Sequence, residues 1–378
     1  MKKLASLLLV VTMSAMVFSG CGNNGSSSSK KDDSTFLIGG SGPLTGSAAT
    51  YGLSVKQGAE VAVKEINDAG GVKVGDKAYK LDLDFQDDEN KEDKAVTAYN
   101  TLMDNDINAF LGTVTSTPCL ALTKNAYDDG ILLVTPSASA LDCTKYDNAF
   151  RICFTDPMQG EKLAEYAVKT LGKKKIGIIY HNDDDYSIGL EKAFTEKVKE
   201  LGGEIVASEA SASKDNDFST QLTSIKSSKA DLIFAPVYYQ AAAYITKQAS
   251  DAGMKIPFIG GDGWDGILGV VTEPATVEGA VFLTPFTATD SSVADFVKTY
   301  EAAYKETPNQ FAADGYDGVY AIAEAMKQAG SIKNEDLIAA MTKITVDGLT
   351  GKMTFDKSGE ANKDAKFVEI KDGKYLVK

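Results

Sequence analysis

Two hydroxyl-rich loops hold the side chains best suited to bind a small anion. Thr115-Ser116-Thr117-Pro118 follows the apolar run 109–111, and Thr135-Pro136-Ser137-Ala138-Ser139 follows the apolar run 131–134. Short runs of this kind read as strands of a parallel sheet buried on both faces. In an open α/β sheet, ligands bind beyond the carboxyl ends of the strands, where loops converge and backbone donors are free. Thr117 followed by Pro118 reads as a helix N-cap with proline at the first helical position, which would aim unpaired N–H groups at the same spot. Hydroxyls beside a helix N-terminus suit a carboxylate.

A second set of polar groups follows later strand-like runs: Tyr186 after 175–180, Tyr238 after 232–235, and Asp262 with Trp264 after 258–260. An acid facing a hydroxyl-lined anion site matches the two charges of an α-amino acid, with the tyrosines and Trp264 walling its side chain. Read alone, Gly260-Gly261-Asp262-Gly263 is also a plain turn, and Tyr186 and Tyr238 are also ordinary core or surface aromatics.

Catalytic chemistry lacks its parts. His181 is the one histidine, and no G-x-S-x-G elbow exists for a nucleophile. Asp183-Asp184-Asp185 lacks the spaced ligands and glycine of a calcium loop and reads as a solvated acidic rim. Gly39-Gly40-Ser41-Gly42 lacks the spacing of a dinucleotide fingerprint. With one histidine and no paired C-x-x-C, a zinc site has no ligand set. The expectation is a binding protein without metal or cofactor.

The elements that must position these groups alternate along the chain. Strand signals at 36–39 and 81–85 and helical signals at 53–68, 91–104 and 120–128 interleave with the two runs above, giving the βαβ pattern of a parallel sheet with helices on both faces. A second series runs through 175–180, 188–201, 204–207, 218–227, 232–235, 241–252 and 258–260. After 281–283, helices near 293–304, 310–329 and 334–342 have no strand series of their own and must pack on an existing lobe, so the chain crosses back. Short strands at 353–355 and 366–370 close it. A body of about 340 residues agrees with two domains, and several crossings between two lobes make a hinge.

The N-terminus reads as an export signal: Lys2 and Lys3, apolar residues from Leu4 to Phe18, then Ser19-Gly20 before Cys21. The small residues before Cys21 resemble a bacterial lipoprotein cleavage box, which makes Cys21 the lipidated residue. About 15 apolar residues fall short of the roughly 20 that span a bilayer. Residues 21–34 form a polar leash. The formal charge of −14 argues against a nucleic-acid partner. Cys119, Cys143 and Cys153 remain after Cys21, an odd count suggesting one pair and one buried thiol. Cys143 and Cys153, a short loop apart, are the candidate disulfide, although sequence separation does not fix the Cα distance such a bond requires.

Ile38-Gly39-Gly40-Ser41-Gly42-Pro43-Leu44-Thr45-Gly46, Tyr51-Gly52, Gly58-Ala59-Glu60-Val61-Ala62-Val63, Ile66-Asn67, Gly70-Gly71-Val72, the two hydroxyl loops and Phe150-Arg151 together resemble the branched-chain amino acid-binding proteins of ABC importers. The resemblance covers nearly the whole mature chain. It implies a two-lobed α/β fold of the type I periplasmic-binding-protein kind, each lobe a parallel sheet flanked by helices, with a three-crossing hinge. It also implies a monomer held to the membrane only by lipid, lying outside the cytoplasm and handing a small amino acid to permease subunits. Lobe 1 would comprise 35–154 and 284–354, and lobe 2 would comprise 155–283 and 355–378.

By the same resemblance, Ser116 and Ser139 match hydroxyls that hold the ligand carboxylate, and Ser137 matches the residue whose carbonyl receives the ammonium. Asp262 falls at the acidic partner of that ammonium, where glutamate is more familiar. Tyr51, Tyr186 and Tyr238 match aromatic wall positions, and Thr117 and Ala138 complete the two loops as candidate ligand residues. Leucine, isoleucine and valine lead as ligands, with amides and aromatic acids as alternatives. A sensory protein without transport is the rival role.

Overall fold

The computed structural model describes residues 34–378. The export segment 1–20, the lipidation candidate Cys21 and all but the last residue of the 21–34 leash lie outside the described residues. No helix of the described residues is long and apolar enough to cross a membrane.

Two sheets organise the chain. In the first, β1 (Thr35–Gly42), β2 (Val72–Val74), β3 (Lys77–Asp87), β4 (Ala109–Gly112), β5 (Leu133–Thr135) and β6 (Ala149–Arg151) lie in the order β2-β3-β1-β4-β5-β6. All its pairs are parallel except β2 with β3. Every residue of β4 and β5 is buried, which is why both read as unbroken apolar runs. Helices α1 (Ala49–Asp68), α2 (Glu92–Asp104) and α3 (Ser116–Asp128) make the crossovers.

After β6 the chain passes into the second lobe through α4 (Asp156–Glu165), β7 (Lys175–His181), α5 (Asp185–Glu200), β8 (Glu204–Ser211), α6 (Ser219–Ser228), β9 (Leu232–Phe234), α7 (Tyr239–Asp251), β10 (Phe258–Ile259) and β11 (Val281–Thr284). It then returns through α8 (Ala294–Tyr304), α9 (Gln310–Ala329), α10 (Asn334–Met341), β12 (Val346–Gly348) and β13 (Gly351–Met353), and finishes in β14 (Lys366–Lys371) and β15 (Lys374–Val377). The second sheet has the order β15-β14-β11-β10-β9-β7-β8, with β14 antiparallel to both β11 and β15. The chain therefore changes sheets after β6, after β11 and after β13, giving three crossings.

Each sheet has its own core. Val319, Ile322 and Met326 of α9 pack with Phe36 and Ile38 of β1 and with Ala109 and Leu111 of β4, so the returning helices belong to the first lobe. Ile176, Ile178, Phe194, Leu232, Phe234, Val281 and Leu283 fill the second. Helix α1 buries Tyr51, Val55, Ala59, Ala62 and Ile66, a repeat of three and four residues that keeps one face apolar. It approaches α9 so closely that a Cβ on Gly58 would lie 1.8 Å from the Ala312 carbonyl oxygen, and one on Gly315 would lie 2.2 Å from that of Val55. Any side chain at either glycine would push the two helices apart.

Three sequence expectations change here. Strands β2, β6, β12 and β15 were not anticipated; β15 is an edge strand with Leu376 45% and Val377 49% exposed, so it carries no burial pattern to read. The Cys143–Cys153 disulfide is not formed, and Cys119, Cys143 and Cys153 are all buried free thiols. Cys143 packs in one apolar cluster with Cys119, Ala138 and Ala140, whereas Cys153 lies on the first crossing, so their nearness in sequence does not bring the sulfurs together. The acidic run is not a uniformly solvated rim either: Asp184 is buried as the N-cap of α5 and accepts from the Ser187 N–H at 3.2 Å.

Candidate functional site

The first half of the site is built at the carboxyl ends of β4 and β5. Helix α3 begins at Ser116, with Thr115 as its N-cap, and the Thr115 side chain makes no capping bond. Thr117 is thus inside the first turn rather than at the cap, because Pro118 is tolerated anywhere in that turn, where N–H groups lack helical partners. The two loops are tied together. Ser116 Oγ accepts from the N–H groups of Ser139 and Ala140, both at 3.1 Å. A hydroxyl has two acceptor lone pairs and one proton; with both lone pairs engaged, the Ser116 proton is left to donate. Thr115 Oγ1 is buried with no hydrogen-bond partner, a second donor facing the same space. Ser137 spends its proton on the Val114 carbonyl at 2.6 Å.

Arg151 braces this half from behind. Fully buried at the end of β6, it donates to the carbonyls of Ala138 at 2.7 Å and Ala140 at 2.9 Å. It also engages Glu360 on the third crossing, Nε at 3.0 Å and Nη2 at 3.1 Å, with Nη2 reaching the Leu141 carbonyl at 3.2 Å as well. One guanidinium therefore holds the second hydroxyl loop and a hinge segment in register, using the planar fork that suits a bidentate carboxylate.

The second half centres on Asp262, which is 3% exposed. Its carboxylate accepts from the Tyr186 hydroxyl at 3.0 Å and from Gln310 Nε2 at 3.3 Å, and its N–H donates to Gln159 Oε1 at 3.0 Å. Among the described residues no lysine or arginine pairs with it. Burial pushes its carboxyl up to about 6, against the pull of the Tyr186 hydroxyl. Tyr186 lies in the first turn of α5, and burial holds its phenol well above the usual range, so it stays a donor. The Gly260-to-Gly263 turn is glycine-rich because of crowding: a Cβ on Gly261 would meet the Tyr186 oxygen at 2.5 Å.

Tyr51 of α1 joins the halves. Its hydroxyl donates to the Gly263 carbonyl and accepts from the Tyr239 N–H at 3.1 Å. Tyr238, the residue preceding α7, lies edge-on to Tyr51 at 5.2 Å and stacked on Tyr186 at 5.0 Å. Together Tyr51, Val114, Thr115, Ser116, Ser137, Ser139, Tyr186, Tyr238, Asp262, Gly263 and Phe311 line a small, partly open cavity of about 230 Å³. Beyond Tyr238 it adjoins a wider mouth of about 1150 Å³ lined by Lys91, Thr117, His181, Asp183, Asp184 and Lys214 among others.

Of the sequence-predicted ligand residues, Tyr51, Ser116, Ser137, Ser139, Tyr186, Tyr238 and Asp262 come together around this cavity. Two do not. Thr117 faces the mouth, where its hydroxyl accepts from the Asp185 N–H at 3.0 Å and approaches Asp184 Oδ1 at 3.4 Å; it is a contact between lobes. Ala138 is fully buried beneath the loop, its carbonyl turned to Arg151 and its N–H to Thr135 Oγ1 at 3.1 Å. Trp264 is not part of the wall either: it is fully buried in the second lobe and donates to the Ala235 carbonyl at 2.8 Å. His181 bonds Ser211 Oγ at 3.0 Å while that hydroxyl donates to the Tyr180 carbonyl, so neither is set up as a base–nucleophile pair. Sequence reading missed Val114, Gly263, Phe311 and Gln310, and it named Thr115 only as part of its hydroxyl loop. Thr115 was legible as one more hydroxyl of its loop; Gln310 and Phe311 open a helix of the returning segment and carried no local signal.

Comparison with known proteins agrees with this architecture. Residues 35–374 match the family described as periplasmic binding protein. The chain is 31% identical over 332 residues to Leu/Ile/Val-binding protein homolog 3 of Brucella melitensis, covering 85% of this chain and 88% of that one. The branched-chain amino acid transporter substrate-binding protein LivJ of Streptococcus pneumoniae, solved with isoleucine, superposes with a TM-score of 0.84 at 31% identity, covering 91% of this chain and 99% of that one. A solute-binding protein of an ABC transporter from R. palustris, solved with benzoate, superposes with a TM-score of 0.81 at 25% identity over 91% and 95% of the two chains.

Proposed function

The chain belongs to the family of periplasmic substrate-binding proteins of branched-chain amino acid ABC importers, and from that premise we propose that its cleft closes over an aliphatic α-amino acid of the leucine, isoleucine and valine class and delivers it to a permease. Its relatives are solute-binding proteins, and it is a binding protein rather than an enzyme. The observation that carries the reading is Asp262: a buried carboxylate with no lysine or arginine partner among the described residues, facing the Ser116 and Thr115 hydroxyls, whose protons are free. A buried charge is tolerated when a counter-charge completes it, and a ligand ammonium is that counter-charge.

In this mechanism the ligand carboxylate first meets the Ser116 and Thr115 hydroxyls and the first turn of α3, where backbone N–H groups favour an anion. The Ser137 carbonyl and Asp262 take the ammonium. Lobe 2, residues 155–283 and 355–378, then swings about the three crossings onto lobe 1, residues 35–154 and 284–354, driven by the ligand's higher affinity for the closed state. Thr117 meeting Asp184 and Asp185, and Tyr51 meeting Gly263 and Tyr239, are the contacts that closure makes. Cys21 would carry the lipid that keeps the protein outside the cytoplasm beside its permease.

Calorimetric titration with the twenty amino acids and with benzoate tests the reading. Binding of aliphatic α-amino acids and not of benzoate supports it. Binding of benzoate without any amino acid would keep the carboxylate half-site and reject the ammonium role of Asp262. Release of a Cys21→Ala variant into the medium checks the anchor.

A further inference from the structure

Asp156, the first residue of α4, is out of keeping with its surroundings. An acid in the first turn of a helix is ordinary where it meets water or a free backbone N–H. Asp156 meets neither: it is 1% exposed, and both its carboxylate oxygens are buried without a hydrogen-bond partner. Its backbone is fixed, since its N–H donates to the Ser139 carbonyl at 3.0 Å. Burial, with Asp262 adding to it, holds the carboxyl well above the usual range against the pull of the Ser139 hydroxyl and of Arg151. A buried carboxyl in this state either keeps its proton or takes a cationic partner.

A groove of about 1190 Å³ has Asp156 in its lining and shares no lining residue with the cleft cavity or its mouth. Gly189 of α5 lines it too. A Cβ there would lie 2.8 Å from Asp156 Oδ2, so the missing side chain leaves the carboxylate facing bare backbone. The walls are both acidic and apolar. Asp142, Glu161, Asp185 and Glu196 line them, and of the two lysines present Lys197 is engaged by Glu200 at 2.9 Å. Leu141, after β5, is 54% exposed and Ile188 of α5 is 40% exposed, two large apolar side chains that flank the groove from opposite lobes.

We infer that this groove is a second binding site, separate from the amino-acid cleft, for a small organic cation: a guanidinium or primary ammonium group on a short apolar chain, with Asp156 as its counter-charge and Leu141 and Ile188 as the seat of the chain. Each part of that ligand answers one observation. The cation completes a carboxylate that folding has left unpaired, the acidic walls draw cations in, and the chain covers the apolar pair. A metal ion fits less well, because among the described residues no group of three or more His, Cys, Asp or Glu is placed to hold one. The site does not depend on which solute the cleft takes.

The test is calorimetric titration of the purified protein with agmatine and with putrescine, neither of which has a carboxylate for the Ser116 and Thr115 hydroxyls to hold. The wild type binds agmatine saturably. Asp156→Asn keeps the shape and removes the charge, and it weakens agmatine binding by about tenfold or more. Ile188→Lys sets a competing ammonium at the groove; it weakens agmatine binding severalfold and leaves amino-acid binding unchanged. Asp262→Asn acts in the cleft and leaves agmatine binding as in the wild type. Should Asp156→Asn fail to fold, Ile188→Lys and Asp262→Asn decide the matter. Failure of the wild type to bind either cation overturns the inference, as does equal binding by the wild type, Asp156→Asn and Ile188→Lys. Loss of agmatine binding in Asp262→Asn would place the cation in the cleft and overturn it as well.

Discussion

The two halves of the cleft are assembled differently. The hydroxyl half is finished within its own lobe: Ser116 ties one loop to the other, Ser137 and Thr135 donate to the Val114 and Thr113 carbonyls of the loop after β4, and Arg151 holds the carbonyls beneath. The acidic half is finished only across the cleft. Asp262 takes one hydrogen bond from Tyr186 of its own lobe and another from Gln310 of the opposite one, and Gly263 closes on Tyr51. A ligand arriving at an open cleft therefore meets one half already in its binding geometry and one half that completes itself on closure. This division suits a receptor that must capture first and signal closure second.

Breaking the finished half should have the largest effect. Arg151→Met strands the Ala138 and Ala140 carbonyls and leaves Glu360 only its Thr144 hydroxyl; losing one partner of a fully buried ion pair costs about 3–5 kcal/mol, and the cost here lies toward the low end because Glu360 is 21% exposed. Thermal unfolding should show a marked loss of stability, and a variant as stable as wild type would mean that the brace is dispensable. Breaking the other half should spare the fold and cost affinity. Asp262→Ala is expected to weaken amino-acid binding at least tenfold, within the about 2–5 kcal/mol seen when one member of a buried charge pair is truncated. Unchanged affinity would remove the ammonium role.

Acidity should separate the halves next. Burial raises the Asp262 carboxyl to about 6 in the closed arrangement. An ammonium needs the carboxylate form, so affinity is full above that value and falls as pH drops through it, by up to about tenfold per unit. Asp262→Asn should bind weakly with a flat profile over the same range. Stability of the protein without ligand should move the opposite way. Asp88 and Asp184, near 7, and Asp262 and Asp265, near 6, all lie above the ordinary carboxyl value of 3.8 because of burial. The stability that protonation brings is complete below that ordinary value and is lost as pH rises through the folded values, so the melting temperature should fall from pH 5 to pH 8.

The smallest effect is expected at the rim. Thr117→Val removes a contact between lobes without touching the cavity and should cost about 1 kcal/mol of binding. It should appear as faster ligand release with little change in capture, because the hydroxyl half is left whole. A slower capture rate would show instead that Thr117 shapes the first encounter.

Much of this arrangement was legible in the sequence, and unevenly so. The hydroxyl half was legible because its residues lie in two contiguous loops, each next to the strand that aims it. Helix α1 and strands β4 and β5 were legible for the same reason, since their apolar spacing is set by neighbours one turn or one residue away. Tyr186, Tyr238 and Asp262 were legible as strand-end groups, but their convergence was not. Where a signal depended on distant packing, the sequence misled: Trp264 lies in the core rather than on the wall, Cys143 packs beside Cys119 rather than Cys153, and Thr117 faces the opposite lobe.

The sequence by itself determined the alternation of elements, the family and the chemistry available at the strand ends, because those rest on local periodicity and residue type. Only the tertiary structure decided that α9 brings Gln310 and Phe311 to Asp262 and Tyr51, and that the Tyr51 hydroxyl spans two lobes. These pairings join segments that enter the lobes through separate crossings. Their meeting is fixed by packing across the cleft, where Tyr51, Val55, Val114 and Phe311 of the first lobe share one apolar cluster with Val237, Tyr239 and Ile267 of the second, and no stretch of local pattern carries a signal for that.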